Sequence, residues 1–393
     1  MSRSWRDLAF DGQLWKDTDF HEAIGHLPPS SLINLLATNQ GAYIRNLALN
    51  GWRNIPPRSF AFTTSNGGAR SSKAVITRLE KLDLQGCTSI DTRTLENIIE
   101  NSPNLKWLSL RGNRRVNGDV VRAIAFHADQ LEYLDLSRCG LVSLLDDGGF
   151  EEENSWPALK NLKLCGGPAE SGLLGLLALA TPNLEMLDVS YSVDIDDDDV
   201  RDFVSLPPEG YKEAFRAKAS SQGSKSSDLV KTSIMLTPAQ AGELGSAYPC
   251  DGMVPRRVTK LRHLNLSNCP EITQKAASYL AHAVPRLEIL EMASVGEMTS
   301  DGLVALFETT PMIRKVDLEG ATQACDRILA ALTPPTGKVS ADASPGRELE
   351  VFAIGHATHI TNDGALKLLR ACPKLVQVNL EVSIACRSEY RHS

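Results

Sequence analysis

Between residues 79 and 139 the apolar positions recur at a fixed step. Leu79, Leu82 and Leu84 lead to Cys87; Leu105, Leu108 and Leu110 lead to Asn113; Leu131, Leu134 and Leu136 lead to Cys139. Each block begins 26 residues after the one before it. Within a block the fourth and sixth positions are apolar and the third, fifth and seventh alternate with them. Period-two alternation predicts a short strand with one buried face. The small residue at the ninth position is where the chain turns out of the strand.

Similar blocks begin at Ile44, Leu159, Leu184, Leu261, Leu287, Ile313, Leu349 and Leu375, which makes eleven, most of them 25 to 28 residues apart. The text between the strands recurs too. Ile90 and Asp91, Ile195 and Asp196, Ile272 and Thr273, Met298 and Thr299, and Ile360 and Thr361 each precede a helical stretch. The Asp or Thr is the expected N-cap, and Pro103, Pro182 and Pro373 stop their helices before the next apolar block. One strand and one helix per step of this length is the signature of a leucine-rich repeat. The expected fold is α/β: a leucine-rich-repeat solenoid, or horseshoe, with a parallel sheet on the concave face and helices on the convex face.

Cys87, Cys139 and Cys269 hold the ninth position, where Gly167, Ser192, Val295, Ala321 and Ala357 depart from the pattern. With the recurring Ile-Thr or Ile-Asp pair and the proline stop, this register resembles the cysteine-containing class of leucine-rich repeats found in F-box proteins and in related repeat proteins that antagonise mitotic exit. The resemblance runs from about Ile44 to Leu380.

The first twenty residues follow another pattern. Trp5, Leu8 and Ala9 share one helical face, and Asp11 and Gly12 end it, so this segment reads as a cap on the open end of the repeat core. From Ser2 to Trp15 it also resembles the C-terminal half of an F-box, and that resemblance turns Trp5, Leu8, Leu14 and Trp15 toward the adaptor subunit of an SCF ubiquitin ligase. The organisation is then a partial F-box-like cap helix at 1–20 and a repeat domain at 21–393. Residues 17 to 20 read as a first, irregular strand, and Pro28 to Leu36 as a helix capped by Ser30 or Ser31. Loop insertions are expected near 53–73, 207–257 and 333–347. The second, rich in Ser around 219–227, is expected to be largely disordered, or else to hide a degenerate repeat.

Composition narrows the function. A net charge of −7 and a pI near 5.7 argue against nucleic-acid binding, which needs a basic surface. No apolar run of about 18 residues suggests a membrane span. Eight cysteines without CxxC pairs fit a reducing compartment, cytoplasmic or nuclear. The acidic run Asp194, Asp196, Asp197, Asp198 and Asp199 falls at a helix start and lacks the glycine and distal glutamate of a calcium loop. His356 and His359 lack zinc-enzyme spacing, and Cys165 and Cys325 have no local partner histidine. These readings leave no metal site, no cofactor and no catalytic constellation, and the chain is not expected to be an enzyme.

Candidate binding residues lie at the alternate strand positions on the sheet's free face. The third position offers Trp107, Tyr133 and Met186, apolar groups where water normally selects polar ones. The fifth offers Asp83, Asp135 and Asp188, and the seventh Arg111. That set suits a protein ligand with basic residues beside an apolar anchor. The F-box resemblance implies a substrate-recognition subunit of an SCF-type ubiquitin ligase, with target protein on the concave face and adaptor at the amino-terminal segment. A stand-alone repeat scaffold, such as a regulator resembling the mitotic-exit antagonists, is the alternative. A horseshoe of the GTPase-activating or inhibitor type is disfavoured, because those families resemble other repeat classes.

Overall fold

In the computed structural model, the described residues are 12–21, 43–53, 55, 77–140, 156–167, 171–206, 233–243, 252–334 and 344–380. Two compact units are present, Met1–Glu170 and Ser171–Ser393.

The first unit carries six short strands: β1 (Asp17–Asp19), β2 (Asn46–Ala48), β3 (Lys81–Asp83), β4 (Trp107–Ser109), β5 (Tyr133–Asp135) and β6 (Asn161–Lys163). Every neighbouring pair is parallel and in register, so that Lys81 faces Trp107, Trp107 faces Tyr133 and Tyr133 faces Asn161. Each strand is only three residues long because the sixth-position residue already belongs to the exit turn. Helices α1 (Thr92–Glu100) and α2 (Gly118–His127) return the chain. They begin on Asp91 and Asn117, whose side chains accept the Thr94 and Val120 amides. Leucines at the first, fourth and sixth positions, such as Leu105, Leu108 and Leu110, are wholly buried. At one end Trp52 meets Phe20 edge to face with ring centroids 6.5 Å apart and donates its indole N–H to the Phe20 carbonyl at 3.0 Å.

The second unit has its own six parallel strands, β7 (Met186–Asp188), β10 (His263–Asn265), β11 (Ile289–Glu291), β12 (Lys315–Asp317), β13 (Val351–Ala353) and β14 (Gln377–Asn379). They too pair in register at equivalent repeat positions. Its helices are α3 (Leu173–Ala180), α4 (Asp197–Val204), α5 (Gln274–Leu280), α6 (Ser300–Glu308), α7 (Asp326–Ala331) and α8 (Asn362–Ala371), each packed on the next. Three aspartates of the acidic run, Asp196, Asp197 and Asp199, are used in this stack. Asp196 and Asp199 form a capping box. The Asp199 carboxylate also takes the Gly172 amide at 2.6 Å. Asp197 accepts the Thr273 amide at 2.8 Å and its hydroxyl at 2.6 Å, so the first residue of α4 also caps α5. Asp326 does the same for Thr361 at the start of α8.

Where the ninth position is cysteine, the thiol donates to the sixth-position carbonyl of the preceding repeat: Cys87 to Leu49 at 3.0 Å, Cys139 to Leu110 at 3.2 Å and Cys269 to Val189 at 3.4 Å. Burial pushes the Cys87 and Cys139 thiols up to about 12. They stay protonated and serve the turn as donors.

The eighth position has a rule of its own. In ten repeats its backbone is left-handed, at Gly51, Gly86, Gly112, Arg138, Gly166, Tyr191, Asn268, Ser294, Gly320 and His356. An L residue with a side chain adopts this conformation at a cost in steric strain, which explains why Gly or Asn fills six of the ten.

The insertion over 207–257 holds a structure that the loop reading did not contain. Among its described residues, β8 (Ser233–Leu236) and β9 (Val254–Arg257) form an antiparallel ribbon. Leu236, Ala241 and Val254 make a small core of their own, with Ile234 against it. A buried ion pair ties the ribbon down: the Arg256 guanidinium binds the Glu243 carboxylate, the Ser205 hydroxyl at 3.1 Å and the Ala241 carbonyl at 3.2 Å. The guanidinium carbon lies 5.9 Å from the centroid of the Tyr279 ring of α5. The polar composition concealed this because the stabilising contacts go to α4 and α5 rather than to sequence neighbours. The other two insertions, and the Pro28 to Leu36 helix, lie largely or wholly outside the described residues.

Candidate functional site

In the first unit the third repeat positions, which open β3, β4 and β5, make one continuous stack. The Trp107 and Tyr133 rings lie 4.7 Å apart and within 9° of parallel. On the opposite face of the indole the Lys81 ammonium sits 4.4 Å from the ring centroid. In-register parallel pairing places equivalent side chains one strand spacing apart, close to the stacking distance of two aromatic rings. The cation over the indole face adds an electrostatic contact. Both rings remain half-exposed, so a rigid aromatic platform stands on the free face of the sheet.

The fifth positions behave differently from the sequence expectation of a solvent-facing carboxylate row. Asp83 accepts the Gln85 amide at 3.0 Å, Asp135 the Ser137 amide at 2.9 Å and Asp188 the Ser190 amide at 3.1 Å. Asn265 and Asp317 repeat the contact. Each carboxylate bends back onto the amide two residues on and holds the exit turn, as Asp and Asn do in turns generally. Asp135 is drawn in far enough to be buried, which corrects its expected exposure. Asp83 stays half-buried, and desolvation raises its carboxyl above the usual range. Arg111 is half-buried at the seventh position of its repeat, and its carbonyl accepts the Gly86 amide at 2.8 Å.

Met186 and Asp188 belong to the second unit, where Met186 pairs with His263. The third positions there mix apolar Met186, Ile289 and Val351 with polar His263, Lys315 and Gln377. Glu291, at the fifth position of its repeat and the end of β11, lies between third-position partners on both sides, the His263 ring at 3.2 Å and the Lys315 ammonium at 2.5 Å. The hydrogen bond from His263, opposed by burial and reinforced by Lys315, brings its carboxyl down to about 2 from an ordinary 4.5. A folded-state value below the unfolded one means stability that is complete above about pH 4.5 and disappears as the pH falls through about 2. The midpoint of thermal unfolding should therefore drop across that window, and Glu291→Gln should flatten the drop. Superimposable acid limbs for the two proteins in calorimetry would contradict it.

Leu14 and Trp15 lie in a single 3-10 turn, Gly12–Trp15, ahead of β1. Leu14 is exposed and Trp15 half-buried. Trp5 and Leu8 lie outside the described residues. Among the described residues there is no group of His, Cys, Asp and Glu able to hold a metal ion, and no helix is long and apolar enough to cross a membrane.

A periodic charge signal in the sequence runs beside this face. The second positions alternate in sign, as Arg45, Glu80, Lys106, Glu132 and Lys160 in the first unit and Glu185, Arg262, Glu288, Arg314 and Glu350 in the second. Parallel register turns the alternation into ladders: Arg45 to Glu80 at 3.2 Å and Lys160 to Glu132 at 2.8 Å in one, Arg262 to Glu288 at 2.5 Å and Arg314 to Glu350 at 2.6 Å in the other.

Comparisons with known proteins agree with this geometry. A family model described as "Leucine Rich repeat" matches residues 259–281. A chain in the crystal structure of the yeast Rad7 and Elc1 complex is similar in fold, with a TM-score of 0.52 and 17% identity over 96% of this chain and 83% of that one. Both units are built of leucine-rich repeats. Weaker likenesses reach a leucine-rich-repeat protein of Leptospira interrogans, with a TM-score of 0.36 and 14% identity over 89% of this chain and 80% of that one. An internalin from Listeria monocytogenes gives a TM-score of 0.33 and 14% identity over 77% of this chain and 86% of that one. No curated protein matches the sequence.

Proposed function

We propose that this leucine-rich-repeat chain is a protein-recognition subunit: the free sheet face of its first unit takes a target protein, and the amino-terminal segment attaches it to the adaptor of an SCF-type ubiquitin ligase. The observation that carries target recognition is the Trp107 and Tyr133 stack. Two aromatic rings pre-packed on each other lose little side-chain freedom on binding, which is what an interface anchor needs. Support for the adaptor comes from the resemblance of Ser2 to Trp15 to half an F-box, and from a fold neighbour solved as a complex of two different proteins. In this role the chain positions a substrate and catalyses no bond change itself, in the cytoplasm or nucleus.

Co-expression with the SCF adaptor should yield a complex that co-elutes, and Trp5→Ala with Trp15→Ala should abolish it. Trp107→Ala with Tyr133→Ala should leave adaptor binding intact while weakening capture of the principal target at least about thirtyfold, the effect of losing an aromatic hot spot. Target capture without any adaptor complex would instead establish a stand-alone scaffold. Unchanged capture by the double variant would remove the stack from the interface.

A further inference from the structure

Among the described repeats, the left-handed slot at the eighth position is filled by a phenol ring at one place only. Tyr191, leaving β7, has φ of 60°, and 56% of its surface is exposed. Val193, two residues on, is 64% exposed. An exposed aromatic in a backbone state that disfavours it points outward to a binding role.

The charge beside it says what kind of partner fits. Residues 188 to 200 contain six aspartates and no lysine or arginine. More telling is the eleventh position of the repeats, which reads Asp194, Glu271 and Glu297 in three successive repeats of the second unit. All three are exposed. The strands of these repeats, β7, β10 and β11, are adjacent and in register. The carboxylates therefore form a row along the strand-exit edge that starts at Tyr191 and Val193. In the first unit the equivalent residues are Asn54, Ser89, Arg115, Leu141 and Ala169, without an acid among them.

We infer that the strand-exit edge of the second unit is a separate docking surface for a polypeptide segment that carries an apolar or aromatic side chain flanked by lysine or arginine. Tyr191 and Val193 receive the apolar group, and the row from Asp194 to Glu297 aligns the basic ones. The surface is independent of the Trp107 stack and does not rest on the ligase reading.

The full chain should be immobilised and panned with a phage-displayed library of twelve-residue peptides, and the enriched peptides titrated as synthetic probes. Enrichment of sequences pairing Trp, Tyr, Phe or Leu with nearby Lys or Arg is expected, with binding that weakens as salt rises. Tyr191→Gly should raise the unfolding midpoint by about 2–4 °C, by removing the strain, while weakening those peptides at least about tenfold. Glu271→Gln with Glu297→Gln should weaken them without the thermal gain. Arg138→Gly, the same relief in the first unit, should leave peptide binding unchanged. No enrichment, enrichment of acidic peptides, or equal binding to Tyr191→Gly would overturn the inference.

Discussion

Glu243→Ala should release the ribbon from the second unit. The Arg256 guanidinium and the Glu243 carboxylate are both almost wholly buried, and removing one member of such a pair leaves a charge with neither water nor counter-ion, a cost of about 3–5 kcal/mol. The remaining contacts of Arg256, to the Ser205 hydroxyl, the Ala241 carbonyl and the Tyr279 ring, are neutral and do not replace the lost anion. The small core of Leu236, Ala241 and Val254 has too little area to hold the ribbon in place against that cost. Hydrogen exchange should accelerate at the amides of β8 and β9 while those of β10 to β12 keep their protection, because repeat units depend chiefly on their nearest neighbours. Replacing both partners, as Arg256→Met with Glu243→Leu, should restore much of the protection, since an apolar pair of similar volume avoids the desolvation cost altogether. Equal exchange in Glu243→Ala and the unaltered chain would show that the ion pair does not hold the ribbon.

Leu108→Ala should cost about 2–5 kcal/mol, as a buried leucine truncation leaves a cavity in a packed core. Leu108 is wholly buried at the fourth position of its repeat, in β4, next in the chain to Trp107 and on the opposite face of the strand. Its neighbours in register are Leu82 and Leu134, also buried, so the cavity would open in the middle of the first unit's apolar spine. The stack of Lys81, Trp107 and Tyr133 depends on exact strand spacing, and a loosened β4 should weaken it as well. Near-ultraviolet circular dichroism should register the weakened coupling between the two rings, and chemical denaturation should register the loss of stability. A variant with full stability would mean that the spine collapses around the gap. A stable variant with an unaltered aromatic spectrum would separate the platform from the core beneath it.

The consequences for function differ between the two. Leu108 lies under the face proposed to hold a target, so its loss should reduce target capture through geometry, even with both rings in place. The ribbon packs against α4 and α5, away from the Trp107 platform in sequence and in unit, and its release should leave capture by the first unit unchanged.

The sequence determined the repeat and almost everything that follows from it locally. Apolar first, fourth and sixth positions dictated which faces are buried, the Asp, Asn and Thr caps and the prolines set the helix ends, and the 26-residue step required strands to lie parallel. Two further features are written there at the level of the repeat: Gly or Asn in most left-handed slots, and the alternating signs at the second position. Both become visible only when repeats are aligned by register, because each is meaningful across strands rather than along one.

Tertiary structure alone decided three matters. It turned the fifth-position aspartates back onto their own turns, since an amide two residues away is a nearer partner than any ligand. It joined Lys81, Trp107 and Tyr133 into one stack, which depends on side chains from three strands meeting in space. It folded part of a polar insertion into a docked ribbon, because the charge that stabilises Arg256 comes from Glu243, and the surface that receives it comes from helices more than fifty residues away on one side and about twenty on the other. Local pattern specifies what a short segment does with its neighbours in sequence, and these three outcomes are governed by neighbours in space.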